Sequence, residues 1–147
     1  MNKKPISPKL HGIIDYTFAA GLLFLPPLLG LNKKAKKVYQ LMAAEMLLYS
    51  SFTDYPAGLT PVISYDTHHK LDVANVAGMA VDTFDKSIRK QKRATVFHIA
   101  ATTVALATLL LTDWKAEPEN TMTIPETVTI TEELIFLVTD EGPEATI

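Results

Sequence analysis

Four apolar stretches, separated by polar segments, organise this chain. A helix rises about 1.5 Å per residue, so about 20 residues cross a hydrocarbon core of about 30 Å. Three of the stretches have that length, and the fourth along the chain carries no acid or base except His98. The third is shorter and holds Asp72 and Asp82. The pattern predicts an all-α membrane protein with spans near 10–31, 38–55, 71–84 and 94–112.

The beginning of the chain does not read as a cleaved secretion signal. Lys3, Lys4 and Lys9 precede the first apolar stretch, but the stretch is too long for a signal and no small-residue cleavage site follows it. Pro26 and Pro27 predict that the helix kinks or ends there. A soluble helical bundle is the alternative reading, and four such stretches in 147 residues favour the membrane.

Basic residues are concentrated in two connections. Segments 32–37 and 85–93 hold nine of the 14 lysines and arginines, whereas the chain from Asp113 onward has one base and nine acids. The positive-inside rule places both basic loops in the cytoplasm and both termini outside a bacterial plasma membrane, although the N-terminal lysines oppose this orientation. The expected partners are the lipid bilayer and a second copy or another membrane protein.

Two halves of the chain carry matching motifs in the same order. His11 and Asp15 correspond to His68 and Asp72 at an offset of 57, and Thr53-Asp54-Tyr55 corresponds to Thr112-Asp113-Trp114 at an offset of 59. We therefore expect a four-span domain over 1–114, made of tandem two-helix repeats at about 10–55 and 68–114. Each unit has an even number of spans, so the units are parallel. If the first stretch crosses the membrane, the repeat implies that the short third stretch, its counterpart, crosses it as well.

Several of these segments resemble the bacterial SPW-repeat-type small integral membrane proteins, which are built of two-span units. The resemblance covers about residues 6–114, and Leu25-Pro26-Pro27 stands where Ser-Pro-Trp stands in that family. It implies a multi-pass membrane protein and implies no activity, since the group has none assigned. The segments that carry the resemblance are 11–16, 25–30, 49–59 and 69–72.

Composition removes several function classes. The chain has no cysteine, which excludes disulfide scaffolds, thiolate zinc sites, iron–sulfur clusters and cysteine nucleophiles. Its net charge of -2 lacks the basic surplus of a nucleic-acid binder. It contains no phosphate-binding glycine loop and no nucleophile-elbow serine. No enzyme class is therefore indicated.

The candidate chemistry lies at the predicted outer face. Residues at i and i+4 share one side of a helix, so His11 can reach Asp15 and His68 can reach Asp72. These four side chains can bind a divalent metal, or they can form a structural polar clamp between helices or relay protons. The wider candidate cluster also contains His69, Asp54 and Asp113.

Two further candidates extend these alternatives. A membrane redox or transport component would bind haem or a divalent metal through His11 and either His68 or His69. Glu45 interrupts the second apolar stretch, and a carboxylate at that depth is expensive unless it is neutral, paired or hydrated. We expect Glu45 to pair with His98, Thr102 or Thr103, either as a structural hydrogen bond or as a proton carrier.

The segment 115–147 differs from the rest of the chain. It is acidic and contains Pro118, Pro125 and Pro143. Thr127 to Thr131 alternates as a strand does, and the apolar run at 133–138 is far too short to span. We expect an extracytoplasmic tail with short strands, a docking segment or a disordered segment.

Overall fold

A computed structural model describes residues 4–117 and shows a helical protein over that range. The predicted all-α class is confirmed there. The expected strand at 127–131 and the tail from 118 onward lie outside the described residues. The helices are α1 Pro8–Leu28, α2 Lys33–Ser51, α3 Tyr65–Asp82, α4 Lys86–Arg89 and α5 Lys92–Leu111.

Local sequence explains where the long helices begin and end. The side chains of Ser7, Asn32 and Ser64 accept hydrogen bonds from the first turns of α1, α2 and α3. At the other end of α1, Pro26 and Pro27 lie in the last turn and Gly30 has a φ of 65°. Glycine tolerates this left-handed conformation, so the chain reverses there, as the sequence predicts.

The helices form two hairpins. The first hairpin is α1 packed on α2, and the second is α3 packed on α5, with α4 in the connection between them. Both basic connections meet at one end of the bundle, because Asn32 Nδ2 donates to the Ser87 carbonyl (2.6 Å) and Gln91 Oε1 accepts from the Asn32 backbone N–H (2.8 Å). We call this the basic end. The start of α1 and the end of α5 meet at the opposite end.

The bundle core consists largely of small residues. Ala35, Ala43 and Ala94 are fully buried, which lets the helix backbones approach closely. They pack with four larger buried side chains, Leu22, Leu31, Tyr39 and Met79. The core is therefore narrow, and many large apolar side chains remain on the outside, including Phe24, Leu41, Val96 and Leu110.

One helix satisfies the requirements of a membrane span by length and composition. α5 has a mean hydropathy of 1.9 over its best 18 residues, and only 17% of that window is buried. No other helix within residues 4–117 meets the same criteria. The charged residues of α2 and α3, such as Glu45 and Asp72, lower their hydropathy. The structure thus supports one candidate span and does not by itself establish four.

Equivalent positions of the two halves make equivalent backbone contacts. The Asp54 N–H donates to the Ile63 carbonyl, and the Asp113 N–H donates to the Ile6 carbonyl, both at 2.8 Å. Each contact joins a residue shortly after the end of one helix to the segment just before the start of another. The second one also ties the N-terminal segment to the end of α5, so it closes the bundle between its two hairpins.

Gly12 permits the close packing of the connection between α2 and α3 on α1. A Cβ at this position would clash with the Ala57 Cβ and would lie 2.7 Å from the ring of Tyr55. We expect Gly12→Ala to lower the free energy of unfolding by about 1–3 kcal/mol, because the connection must shift. Denaturant or thermal unfolding in detergent measures the effect.

Gly78 provides the matched control, since a Cβ there meets nothing within 4 Å. Gly78→Ala should leave stability unchanged or raise it by up to about 1 kcal/mol through helix propensity. Equal destabilisation by both variants would contradict this account of Gly12.

Candidate metal centre

Two helices supply the four central side chains. His11 and Asp15 lie one turn apart on α1, and His68 and Asp72 lie one turn apart on α3. The i,i+4 spacing places each pair on one face of its helix. The first hairpin therefore contributes one imidazole and one carboxylate, and the second contributes the same. We call these four residues the His/Asp cluster, and the end of the bundle that holds them the His/Asp end.

The four side chains converge on one point. One ligand atom from each lies within 4.8 Å of the others. The two Nε2 atoms of His11 and His68 are 3.1 Å apart. His11 Nε2 lies 3.1 Å from Asp72 Oδ2 and 3.4 Å from Asp15 Oδ1. His68 Nε2 lies 3.2 Å from Asp15 Oδ2 and 3.6 Å from Asp72 Oδ2.

Threonine hydroxyls hold the outer nitrogen of each imidazole. His11 Nδ1 lies 2.9 Å from Thr112 Oγ1, and that hydroxyl donates to the Thr108 carbonyl at 2.6 Å. His68 Nδ1 lies 2.8 Å from Thr53 Oγ1, which donates to the Tyr49 carbonyl at 2.7 Å. Each hydroxyl has given its only hydrogen to a carbonyl, so each must accept a hydrogen from the imidazole.

This assignment places a hydrogen on Nδ1 of both histidines. Their Nε2 atoms therefore face each other and the two carboxylates, and each Nε2 is an acceptor when its imidazole is neutral and a donor when it is protonated. Each threonine belongs to the opposite hairpin from the histidine that it orients, so the arrangement depends on both hairpins.

Each carboxylate also has partners behind it. Asp15 Oδ2 accepts hydrogen bonds from Ser50 Oγ and from the Tyr55 hydroxyl, both at 3.2 Å. Burial, reinforced by the negative charge of Asp15, raises the pKa of the Tyr55 phenol above its usual range, so Tyr55 remains a donor. Asp72 Oδ1 accepts from the Tyr49 hydroxyl at 2.7 Å.

The His/Asp cluster is shielded from solvent. His11 and His68 are fully buried, Asp15 is 1% exposed and Asp72 is 8% exposed. An aromatic layer covers the imidazoles: the Trp114 ring lies 4.6 Å from the His11 ring, centroid to centroid. The rings of Tyr49, Tyr55 and Tyr65 lie 4.9, 5.3 and 6.3 Å from the His68 ring. Charges here are weakly screened, so their balance matters.

A narrow crevice of about 40 Å³ reaches the cluster from inside the bundle. Asp15 and Asp72 line its polar end, together with Tyr49 and Asn75. Asn75 Nδ2 donates to the Tyr49 hydroxyl at 3.2 Å, which extends the polar chain away from the cluster. A volume of this size holds about three water molecules beside the carboxylates.

Three other predicted residues lie near this end of the bundle but outside the converging group. His69 stacks on Trp114 at a centroid distance of 4.3 Å. Asp54 and Asp113 contribute their backbone N–H groups to the contacts that close the bundle. The cluster therefore contains two histidines and two aspartates rather than the wider set of seven.

Glu45 and His98 do not meet, contrary to the expectation from sequence. Glu45 is exposed on α2. His98 is fully buried, with Nε2 2.8 Å from the Met79 carbonyl and Nδ1 3.0 Å from the Tyr39 hydroxyl. The carbonyl requires hydrogen on Nε2, so Tyr39 donates to Nδ1 and the imidazole is fully satisfied. His98 is a structural residue that joins the two hairpins.

Sequence reasoning missed the residues that orient the cluster. Thr53 and Thr112 stand out in the sequence only as members of the repeated motifs, together with Tyr55 and Trp114. In the structure Tyr55 is buried and Trp114 covers His11. The recurrence of threonine at the same place in both halves was the available signal.

The geometry does not favour haem between His11 and His68. Two axial histidines bind iron from opposite faces of a porphyrin, so the macrocycle must fit between them. Here the two Nε2 atoms are 3.1 Å apart and carboxylates flank them. His69 is not an alternative ligand in this arrangement, because its ring lies against Trp114.

Comparison with known proteins gives no further guide to function: the chain matches no family model, no curated protein and no solved structure.

The threonine that orients His11 can be tested by an isosteric change. Thr112→Val leaves a buried imidazole N–H without an acceptor, so the free energy of unfolding should fall by about 1–3 kcal/mol. Thr103→Val is the matched control, because the exposed Thr103 hydroxyl makes the same backbone contact, to the Ile99 carbonyl, and touches no histidine. Equal unfolding midpoints for the two variants would argue against the orienting role.

Proposed function

We propose that this chain is a small multi-pass membrane protein that binds a small divalent cation at its His/Asp end. Its four long helices would each cross the bilayer, in two tandem hairpin repeats. The observation that carries the cation proposal is the convergence of two imidazole Nε2 atoms and two carboxylates on one buried point.

The charge balance of the cluster supports a divalent cation. With both histidines neutral, the two aspartates give this largely buried cluster a charge of −2. Protonating both Nε2 atoms would set two N–H groups against each other across 3.1 Å. Protonating one would leave a buried negative charge. A divalent cation neutralises both carboxylates and is attracted to every ligand atom at once.

The outer surface of the helices supports membrane insertion. An apolar helix in the core of a soluble protein is mostly buried, whereas α5 is mostly exposed. Large apolar side chains on the other helices, such as Leu28, Leu41 and Val81, are at least 61% exposed. Exposed apolar surface of this extent is unfavourable in water and favourable in lipid.

The two polar ends of the bundle support its orientation. Both basic connections lie at one end, where the positive-inside rule places the cytoplasm. The His/Asp end would then face outward, together with the N-terminus. The equivalent backbone contacts at Asp54 and Asp113 support the tandem repeat.

The cation site predicts a specific loss of metal in one variant. Protein purified in detergent and loaded with Zn²⁺, Mn²⁺ or Fe²⁺ should retain about one ion per chain by elemental analysis after gel filtration. His68→Gln removes one ligand and should reduce retention at least about 10-fold.

His69→Gln is the matched control, because it removes the neighbouring imidazole, which stacks on Trp114 outside the cluster. Its retention should equal that of the unchanged protein. A wild-type protein that retains none of the three ions would refute the cation site, and equal loss in both variants would place the ion elsewhere.

Topology is open to thiol labelling because the chain contains no cysteine. Single variants Lys36→Cys and Lys90→Cys should react with an impermeant maleimide only from the cytoplasmic side. Leu59→Cys, in the exposed connection between α2 and α3, should react only from the outside. Opposite sides for Lys36 and Lys90, or recovery of the chain in a detergent-free supernatant, would overturn the four-span proposal.

A further inference from the structure

Resting on the proposed cation site, we propose that its ion is of the Zn²⁺ class, bound in a four-coordinate site by His11, Asp15, His68 and Asp72 alone. The ion would act as a staple between the two hairpins and not as a catalytic centre. This inference specifies the class of cation and its coordination number, and it assigns the site a structural role.

The spacing of the ligand atoms fits a tetrahedron. Bonds of about 2.0–2.1 Å to nitrogen and oxygen place tetrahedral ligand atoms about 3.3–3.4 Å apart. The two Nε2 atoms are 3.1 Å apart, and their distances to the nearest carboxylate oxygens are 3.1, 3.2, 3.4 and 3.6 Å. These distances lie on both sides of the tetrahedral value, and because the two Asp15 distances are to different oxygens, one Asp15 oxygen would turn toward the ion.

The donor set also favours this class of ion. Neutral imidazole and carboxylate together suit zinc and its neighbours in the transition series, whereas Ca²⁺ takes six to eight oxygen ligands and Mg²⁺ keeps several waters. The aromatic rings of Trp114, Tyr55 and Tyr65 pack against the imidazoles. A compact site with two nitrogens and two oxygens remains.

Every ligand has an orienting partner, as a preorganised metal site requires. Thr112 and Thr53 hold the imidazoles, and Ser50, Tyr55 and Tyr49 hold the carboxylates. These outer bonds turn both Nε2 atoms toward the two carboxylates, so all four ligand atoms are held facing one point.

A bound ion would link the two hairpins because each hairpin supplies two of the four ligands. His11 and Asp15 come from the first hairpin, and His68 and Asp72 come from the second. Without the ion, the carboxylates of the two hairpins repel each other in a weakly screened site. With the ion, both are attracted to a common centre, so binding stabilises the association of the hairpins.

X-ray absorption at the zinc edge tests the coordination directly. The full-length protein loaded with Zn²⁺ should show four nitrogen or oxygen neighbours at about 2.0 Å and no sulfur. Co²⁺ in the same site should give the strong visible absorption of a four-coordinate complex. A bound ion with six neighbours would overturn this inference and leave the cation proposal standing, whereas no bound ion would overturn both.

A positioning variant tests the carboxylate partner. Tyr49→Phe keeps the ring and removes the hydrogen bond to Asp72, so zinc affinity should fall about 10–100-fold. Tyr16→Phe is the control, because the Tyr16 hydroxyl donates to the Ala57 carbonyl and touches no ligand. Unchanged zinc affinity in Tyr49→Phe would count against the preorganised site.

Thermal unfolding in detergent tests the staple. Zinc at about 100 times its dissociation constant should raise the unfolding midpoint of the wild-type chain, and chelator should reverse the shift. The double variant Asp15→Asn, Asp72→Asn removes the repulsion, so it should fold without the ion and show no zinc-dependent shift. Zinc that binds the wild-type chain without raising its midpoint would overturn the staple.

Discussion

The meeting of four electron-rich atoms at one buried point is the constraint on which the rest of the structure depends. Both carboxylates lie within 3.6 Å of both imidazole Nε2 atoms, so positive charge at this point stabilises them. Thr53 and Thr112 above all point the Nε2 atoms inward. The small-residue core and the contacts that close the bundle bring the hairpins close enough for this meeting.

The sequence alone predicts the long helices and the four residues of the His/Asp cluster. The apolar periodicity locates the four long helices to within a few residues, although α3 begins at Tyr65, before its apolar part. The reason is that the polar first turn of α3 is stabilised by the Ser64 cap and by buried contacts of His68. The i,i+4 spacing likewise identifies the four cluster residues in advance.

The partners of the individual side chains could not be predicted from the sequence, because they depend on contacts between distant segments. Nothing in the spacing of Glu45 and His98 shows that the first faces outward and the second meets Tyr39. Nor does the position of Thr112 after α5 show that its hydroxyl accepts from a histidine 101 residues away. Periodicity assigns a residue to a helix face; the packing of the two hairpins decides which faces meet.

The exchange of threonines between hairpins has a consequence for biosynthesis. The imidazole of His11 is made early, but its orienting partner, Thr112, follows the last helix of the bundle. A nascent chain with only its first hairpin made holds His11 and Asp15 and the partners of Asp15, Ser50 and Tyr55, but it lacks Thr112. The alignment of His11 is therefore complete only after α5 and the residue that follows it have left the ribosome.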